Sequence, residues 1–373
     1  MSTKKFDRKL PYNGLPLLPT SKDIENNPAI LKRLVKASRA LATVNGNLNR
    51  LPNPYMLINT LALQESKAST EIENIFTTDD ELYKAISEIH QETIINPAIK
   101  EVLKYREALW TGFQELQLNN EIDKDLILRV FNQIKGTSSA YRSPQAQVVI
   151  RRGESEFRPG EIIYTPPRGE GVIEKLMDNL IDYLNDDVKY PIDPLLKMCI
   201  AHYQFEAIHP FQDGNGRTGR ILNLLYLVRQ GLLSQPVLYL SKFIIQHKDD
   251  YYYKLGAVTQ RNEWEIWIEF MLEATEKTSI LTNNRIIDIL SQMNATLEYG
   301  KQQIKWYNKE VNELIFSQPY IKPSTIGNLL GKTSRTTLTK YMEELVNNRI
   351  LSTKKDGVKV FFVNDDLMRI LEG

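Results

Sequence analysis

The chain has 373 residues, which at a prior of about 150 residues per domain points to two or three domains rather than one. Hydrophobic residues make up 42% and charged residues 25%, an ordinary globular balance that excludes a wholly disordered chain. With a formal net charge of +1, the overall balance demands neither nucleic acid, nor an anionic membrane, nor an acidic substrate, so any charge signal has to be local.

The first residues, Met1 to Arg8, lead into a proline-rich stretch rather than the apolar run of a secretory signal, and no apolar run reaches the length of a membrane span. A cytoplasmic setting is the expectation. Leu10 to Pro19 carries too many prolines for a helix and reads as an extended arm on the body of the protein. Helical patterns begin at Asn27, an N-cap followed by Pro28 at the first helical position, and run to about Leu116. Within them, Leu61, Ala68, Ile72 and Ile75 offer an apolar side, and Ser69 and Glu73 share a face four residues apart.

Near Tyr141 the pattern changes. Gln147 to Ile150 and Glu161 to Tyr164 are β-prone runs joined by a polar stretch with Gly153, Pro159 and Gly160, which predicts a hairpin with a long tip. Helices resume after Pro166-Pro167 and continue to about Gln292. The single cysteine, Cys199, excludes an internal disulfide and sits among Leu195, Leu196, Met198 and Ile200, the setting of a buried thiol.

The strongest signal is His209-Pro-Phe-Gln-Asp-Gly-Asn-Gly-Arg-Thr-Gly-Arg220, between two strongly apolar helical stretches. Gly214 and Gly216 free the backbone to bring several N–H groups toward one anion. The loop opens directly into a helix, whose first turn adds unpaired donors and a favourable dipole. Arg217 and Arg220, three apart, are expected to clamp separate phosphates. Asp213 is a hard oxygen ligand suited to Mg²⁺ beside a polyphosphate, and a neutral His209 imidazole suits proton abstraction from a hydroxyl near pH 7. Phe211 reads as a core anchor for the loop. His202 reads as structural, and His90 and His247 fit no metal-ligand spacing.

The last part, from about Lys301, reads as a helix, a short helical stretch over Pro323 to Gly331, a longer helix from Ser334 to Asn347 with Leu338, Met342 and Leu345 on its apolar face, and a hairpin around Asp356-Gly357. That order resembles a winged helix-turn-helix domain. Residues 301–373 hold 12 Lys+Arg and 8 Asp+Glu, a local balance of about +4.

The twelve residues from His209 to Arg220 resemble the Fic signature, H-x-F-x-[D/E]-G-N-G-R-x-x-R, at every defined position. The resemblance implies a mainly α protein: a Fic-type helical core with a β-hairpin flap, followed here by the winged helix-turn-helix domain. The expected division is an N-terminal helical region over 1–120, a catalytic core over 121–292 and a winged-helix-like domain over 301–373. It also implies transfer of AMP from ATP to a Ser, Thr or Tyr hydroxyl of a protein substrate. His209 would be the base and Asp213 the Mg²⁺ ligand. Gly214, Asn215, Gly216, Arg217, Thr218, Gly219 and Arg220 would contact ATP, with Arg220 on the terminal phosphate.

Ser69-Thr-Glu-Ile-Glu-Asn74 likewise resembles the family's inhibitory motif, [S/T]-x-x-x-E-[G/N]. The implied device is Glu73 taking the Arg220 guanidinium, with Ser69 and Asn74 completing the motif. The family places a nucleotide-contacting tyrosine in the region of Tyr251-Tyr-Tyr253, and Tyr252 is the candidate, against a core role for any of the three. The hairpin would pair with an extended target segment. Tyr164 to Pro167 either closes over the adenine or ends a strand.

Two other readings stay open. One is a nucleotide-sensing DNA-binding regulator, with Arg335, Thr336, Thr337 and Lys340 on the recognition helix. The other keeps the enzyme with a different phosphate-containing donor. Winged helices also serve protein contacts, including formation of a homodimer.

Overall fold

The computed structural model describes residues 6–49, 54–88, 96–152, 160–332, 334–357 and 359–372. The first five residues, His90 and the expected hairpin tip from Gly153 to Pro159 lie outside the described residues.

Five helices come first: α1 Pro28–Leu48, α2 Pro54–Ile72, α3 Asp79–Glu88, α4 Pro97–Asn119 and α5 Lys124–Lys135. Asn27 caps α1 as its sequence predicts, its Oδ1 accepting the Ala29 and Ile30 N–H groups before Pro28 fixes the first turn. A short hairpin follows, β1 Ile150–Arg152 and β2 Glu161–Tyr164. It is shorter than expected, because β2 ends at Tyr164 before Pro166-Pro167, and residues 147–149 have no strand opposite them.

Next come α6 Val172–Asn185, α7 Pro194–Ile208, α8 Asn215–Arg229, α9 Leu240–Gln246, α10 Lys248–Arg261 and α11 Trp264–Gln303. Helices α7 and α8 are buried along almost their whole length and pack against each other at the centre, with α4, α5 and α6 around them. They read as apolar on all sides because they are core helices. The free Cys199 is buried on α7, and burial pushes its thiol above the ordinary range.

The sequence places one helix end near Gln292 and a fresh helix near Lys301. Instead α11 runs unbroken for 40 residues, about 60 Å at 1.5 Å per residue. Gly300 sits inside it because the Tyr307 ring packs where a Cβ would stand. Helix α1 lies along α11.

The C-terminal part contains α12 Lys309–Ile315, β3 Tyr320–Ile321, α13 Pro323–Leu330, α14 Arg335–Asn347, β4 Ser352–Asp356, β5 Lys359–Val363 and α15 Asp365–Glu372. The three strands pair antiparallel in the order β3-β5-β4. This is the winged helix-turn-helix order, with Met342 and Leu345 of α14 buried as predicted and Leu338 packed over Gly327 of α13.

The wing is tied to the N-terminal region. Lys354 of β4 pairs with Asp80 of α3 at 2.6 Å, Lys84 pairs with Asp356 at 2.9 Å, and the Tyr320 hydroxyl donates to Asp80. From the same end of α3, Asp79 holds Lys67 of α2 at 2.8 Å and accepts from Gln64. Among the described residues no helix is long and apolar enough to cross a membrane.

Candidate active site

The site begins where α7 stops. His209 is its C-cap, with φ 51 and ψ 60, a left-handed conformation that turns the chain out of the helix and is uncommon for a residue with a Cβ. Two residues hold this turn. Buried Arg142 donates from Nε to the His209 carbonyl at 2.9 Å and from Nη2 to the carbonyls of Pro167 and Ile208. The Tyr164 hydroxyl donates to the Ala207 carbonyl at 2.8 Å. A fixed cation and a hydroxyl thus satisfy the open carbonyls of α7 and complement the negative end of its dipole. Replacing Arg142 with Met leaves those carbonyls unpaired, and urea unfolding should show a loss of about 2–3 kcal/mol; an unchanged midpoint would count against this role.

The loop itself is held by rings and amides. Phe211 stacks on Phe131 of α5 with centroids 3.7 Å apart and planes 1° apart, as befits the expected anchor. The Asn215 side chain accepts the Phe211 N–H at 2.8 Å and donates to the Phe211 carbonyl at 2.9 Å. Gly214, at φ 86, opens α8, and the Thr218 hydroxyl donates back to its carbonyl at 2.9 Å. Asn215 and Thr218 therefore shape the loop with their side chains. Gly219 allows α7 and α8 to approach, since a Cβ there would lie 2.6 Å from Glu206 Oε1.

The two arginines part company. Arg217, buried, meets Glu101 of α4 at 2.5 Å and so ties α8 to α4. In this arrangement the guanidinium expected to clamp a second phosphate is paired with Glu101. Arg220 lies inside the site, 1% exposed. Its Nε donates to Ser69 Oγ at 2.8 Å, and its Nη2 donates to the Ser69 carbonyl at 2.9 Å and to Glu73 Oε1 at 2.7 Å. The two segments that share a motif resemblance, 147 residues apart, meet on one guanidinium.

Glu73 comes close to the mouth of α8: a Cβ on Gly216 would lie 2.6 Å from Glu73 Oε1. The carboxylate thus sits by the positive end of α8, where an anionic ligand would be favoured. Asn74 ends the motif at φ 62, which explains why its last position takes Gly or Asn; its Oδ1 accepts from Lys248 at 3.0 Å. Leu61, Ala68 and Ile72 are buried as predicted, and Ile75 is half-buried.

Burial carries the His209 imidazole down to about 4, so at pH 7 it is neutral, and its Nδ1 has no partner among the described residues. His202 is also held neutral by burial, with Nε2 on the Tyr251 hydroxyl at 2.9 Å, the structural role expected of it. Asp213 is held below the usual carboxylate range: burial opposes the shift, but the Lys135 ammonium at 2.5 Å outweighs it. Its side chain is 69% exposed, so an ionised oxygen faces the loop. That fits Mg²⁺ shared with a polyphosphate, which needs only one or two carboxylates from the protein. Among the described residues no cluster of three His, Cys, Asp or Glu side chains could hold a metal without such help.

A cavity of about 230 Å³ lies between the hairpin, the end of α7 and α10, and Tyr164, Ile163, Glu206, Tyr252 and Phe6 are among its lining residues. Tyr251 is a core residue, whereas Tyr252 reaches the cavity. Tyr164 ends β2 and lines the cavity. The N-terminal arm supplies a wall: Phe6 stacks on Tyr164, and Thr165 bonds the Arg8 carbonyl. Sequence reasoning missed Arg142, Lys135, the arm residue Phe6 and Glu206. Glu206 is raised to about 7 by burial, and its Oε1 has no partner among the described residues. Only Glu206 carried a sequence signal, as the one charge between Cys199 and His209 in the α7 run.

Three family models match the chain. Residues 31–114 match the "Fic/DOC family N-terminal" model, residues 120–227 the "Fic/DOC family" model, and residues 292–367 the "Protein adenylyltransferase SoFic-like, C-terminal domain" model. The chain is 37% identical over 116 residues to Protein adenylyltransferase fic-1 of Caenorhabditis elegans, covering 30% of this chain and 20% of that protein. It is 33% identical over 193 residues to Protein adenylyltransferase Fic of Drosophila willistoni, covering 49% and 36%. The matches thus span only a fifth to about a third of these relatives' lengths. A crystal structure of a Fic family protein from Desulfovibrio desulfuricans G20 superposes with a TM-score of 0.59 at 21% identity, covering 93% of this chain and 98% of that one. Residues 134–508 of Fic-1 from C. elegans give 0.52 at 21%, covering 70% and 73%.

Proposed function

The chain belongs to the Fic/DOC family, and from that premise we propose that it is a protein adenylyltransferase that moves AMP from ATP to Ser, Thr or Tyr hydroxyls of protein substrates, itself included, and is held back by Glu73. The observation that carries the reading is the three-bond grip of Ser69 and Glu73 on Arg220 at the mouth of α8.

On this reading ATP lies with its phosphates on the Gly214–Gly216 backbone and its base in the cavity beside Tyr252. Asp213 would hold Mg²⁺ there in exchange for Lys135, and the ion when bound would offset phosphate charge. Neutral His209 takes the proton of the target hydroxyl. The oxygen then forms a bond to the α-phosphorus as the bond to the β-phosphate oxygen breaks, and pyrophosphate leaves. The N–H groups at the start of α8 face the charge that builds on the phosphoryl oxygens. Arg220, once free of Glu73, engages the terminal phosphate. The backbone of the β1–β2 hairpin offers an edge for an extended target segment, which places a hydroxyl while reading little of its sequence.

The proposed arrangement keeps the inhibitory region within 1–120, the chemistry within 121–292 and the winged helix within 301–373, in a cytoplasmic protein. The test is α-labelled ATP with a cell lysate and a γ-labelled control: Glu73→Gly transfers α-label strongly, wild type weakly, His209→Ala not at all. Label from another donor in place of ATP would change the donor and keep the enzyme. Because His209 is neutral down to about pH 4, the acid limb of kcat/KM should fall well below the 6.5 of a free imidazole; a midpoint at 6.5 would remove His209 from the role.

The DNA-binding alternative rests on Arg335, Thr336 and Lys340, which α14 exposes, with Thr337 half-buried. Against it, Lys354 of the wing is spent on Asp80. Salt-sensitive DNA binding without transfer would favour that alternative, and the same surface is open to a protein partner or to a second copy in a homodimer.

A further inference from the structure

One carboxylate in α2 has no part in the chemistry described so far. Glu65 is 1% exposed and stands four residues before Ser69, on one face of the helix, and eight before Glu73, in the turn that closes α2. It accepts the Ser241 backbone N–H at 3.0 Å and the Tyr105 hydroxyl at 3.3 Å, and the Ser241 hydroxyl also donates to it. Ser241 lies in the first turn of α9, which has no side-chain cap of its own, so Glu65 fastens α2 to α9 on one side and to α4 on the other.

Burying a carboxylate costs several kcal/mol before its bonds are counted, and a helix can be anchored without that cost. Leu61, Ala62, Leu63, Ala68 and Ile72 already bury the apolar side of α2. What apolar packing does not fix is register, because methyl groups tolerate a small slide or rotation and directional bonds do not. Register is what the inhibitory grip needs. Ser69 follows Glu65 at about 6 Å along the axis and Glu73 leaves from the end of the same helix, so a displacement of about 1 Å would open the 2.7 Å bond from Arg220 to Glu73.

We propose that Glu65 is the positioning residue of the inhibitory helix, its bonds to Ser241 and Tyr105 fixing the register at which Ser69 and Glu73 close on Arg220. The proposal rests on the reading that Glu73 inhibits transfer. Charge supports it, since the Arg220 guanidinium acts on Glu65 as well as on Glu73, and the Tyr105 hydroxyl also neighbours Ser69. Burial first of all raises Glu65, to about 7, and its bonds to Ser241 and Tyr105 offset part of that rise.

The full chain is assayed for α-label transfer and for thermal unfolding as wild type, Glu73→Gly, Glu65→Gln, Glu65→Gln with Glu73→Gly, and Tyr105→Phe with Ser241→Ala. The last variant weakens the same carboxylate from its partners and decides the matter if Glu65→Gln fails to fold. Glu65→Gln should raise transfer at least about fivefold over wild type, within the usual range of coupling between sites, and should add nothing to Glu73→Gly. A purely structural role would lower transfer together with the melting temperature. If Glu73→Gly is active while folded Glu65→Gln and the partner variant stay as slow as wild type, Glu65 has no positioning role and the inhibition stands. A gain from Glu65→Gln that persists in full on top of Glu73→Gly also overturns the proposal. If Glu73→Gly itself is no faster than wild type, the inhibition reading fails, and the proposal with it.

Discussion

Glu73→Gly should transfer α-label to lysate protein roughly 30- to 150-fold faster than wild type, the kinetic equivalent of about 2–3 kcal/mol for a charge-assisted bond. Two effects add in the same direction. The substitution frees Arg220 Nη2 from its 2.7 Å bond, and it removes a carboxylate from beside Gly216, where the proposed reading puts phosphate charge. Glycine also suits the site sterically, because it leaves the following Asn74 free to keep its positive φ. Initial rates at saturating ATP, compared at equal protein concentration, give the answer. Equal rates for the two proteins would mean that the Arg220–Glu73 pair is a packing feature. The gain should not depend on dilution, since both segments belong to one chain; a gain that changed with concentration would point to inhibition between copies.

His209→Ala, made in the Glu73→Gly chain, should lose transfer by about 10²- to 10⁴-fold, the usual contribution of a positioned general base. ATP affinity should hold, because in the proposed pose the phosphates meet backbone groups of α8 and the Arg220 side chain, and His209 is no part of either. The positive φ of His209 adds a second expectation. Alanine is less at ease there than histidine, and a small drop in melting temperature should accompany the loss of rate. Equilibrium binding of ATP separates the two effects. Loss of ATP binding together with transfer would show that the substitution had collapsed the loop, and a rate equal to that of Glu73→Gly would remove the base.

Much of this architecture is readable from local spacing. The Asn27-Pro28 cap and the anchoring Phe211 follow from one residue and its neighbours, and the chain adopts each as its sequence directs. The motif resemblance brought Ser69 and Glu73 to Arg220 across the chain. What spacing does not carry is direction. Arg217 and Arg220 are one short turn apart but diverge by about 60° around the axis, enough to send one to Glu101 and the other to Glu73. Arg142 reaches carbonyls 66 and 67 residues away, and Lys135 meets Asp213 across 78. Such partners depend on how α5, the hairpin and α7 are packed, and no local pattern encodes it. The helix end expected near Gln292 is absent for a related reason: glycine and polar residues mark a helix end only when no neighbour packs on them, and at Gly300 the Tyr307 ring does.

The uninterrupted α11 has a mechanical meaning. Near its start, Trp267 donates to the Cys199 carbonyl and stacks on His202, directly behind the site; its other end carries the winged helix through α12 and α15. A continuous α-helix is a stiff spar with no soft joint, because every residue along it is held by its own ladder of bonds. The C-terminal domain is therefore mounted as a handle rather than hung as a pendant. The handle is guyed a second time by the Lys354–Asp80 pair to α3, whose Asp79 in turn holds Lys67 of α2, so the domain is fixed to the body at two separate places.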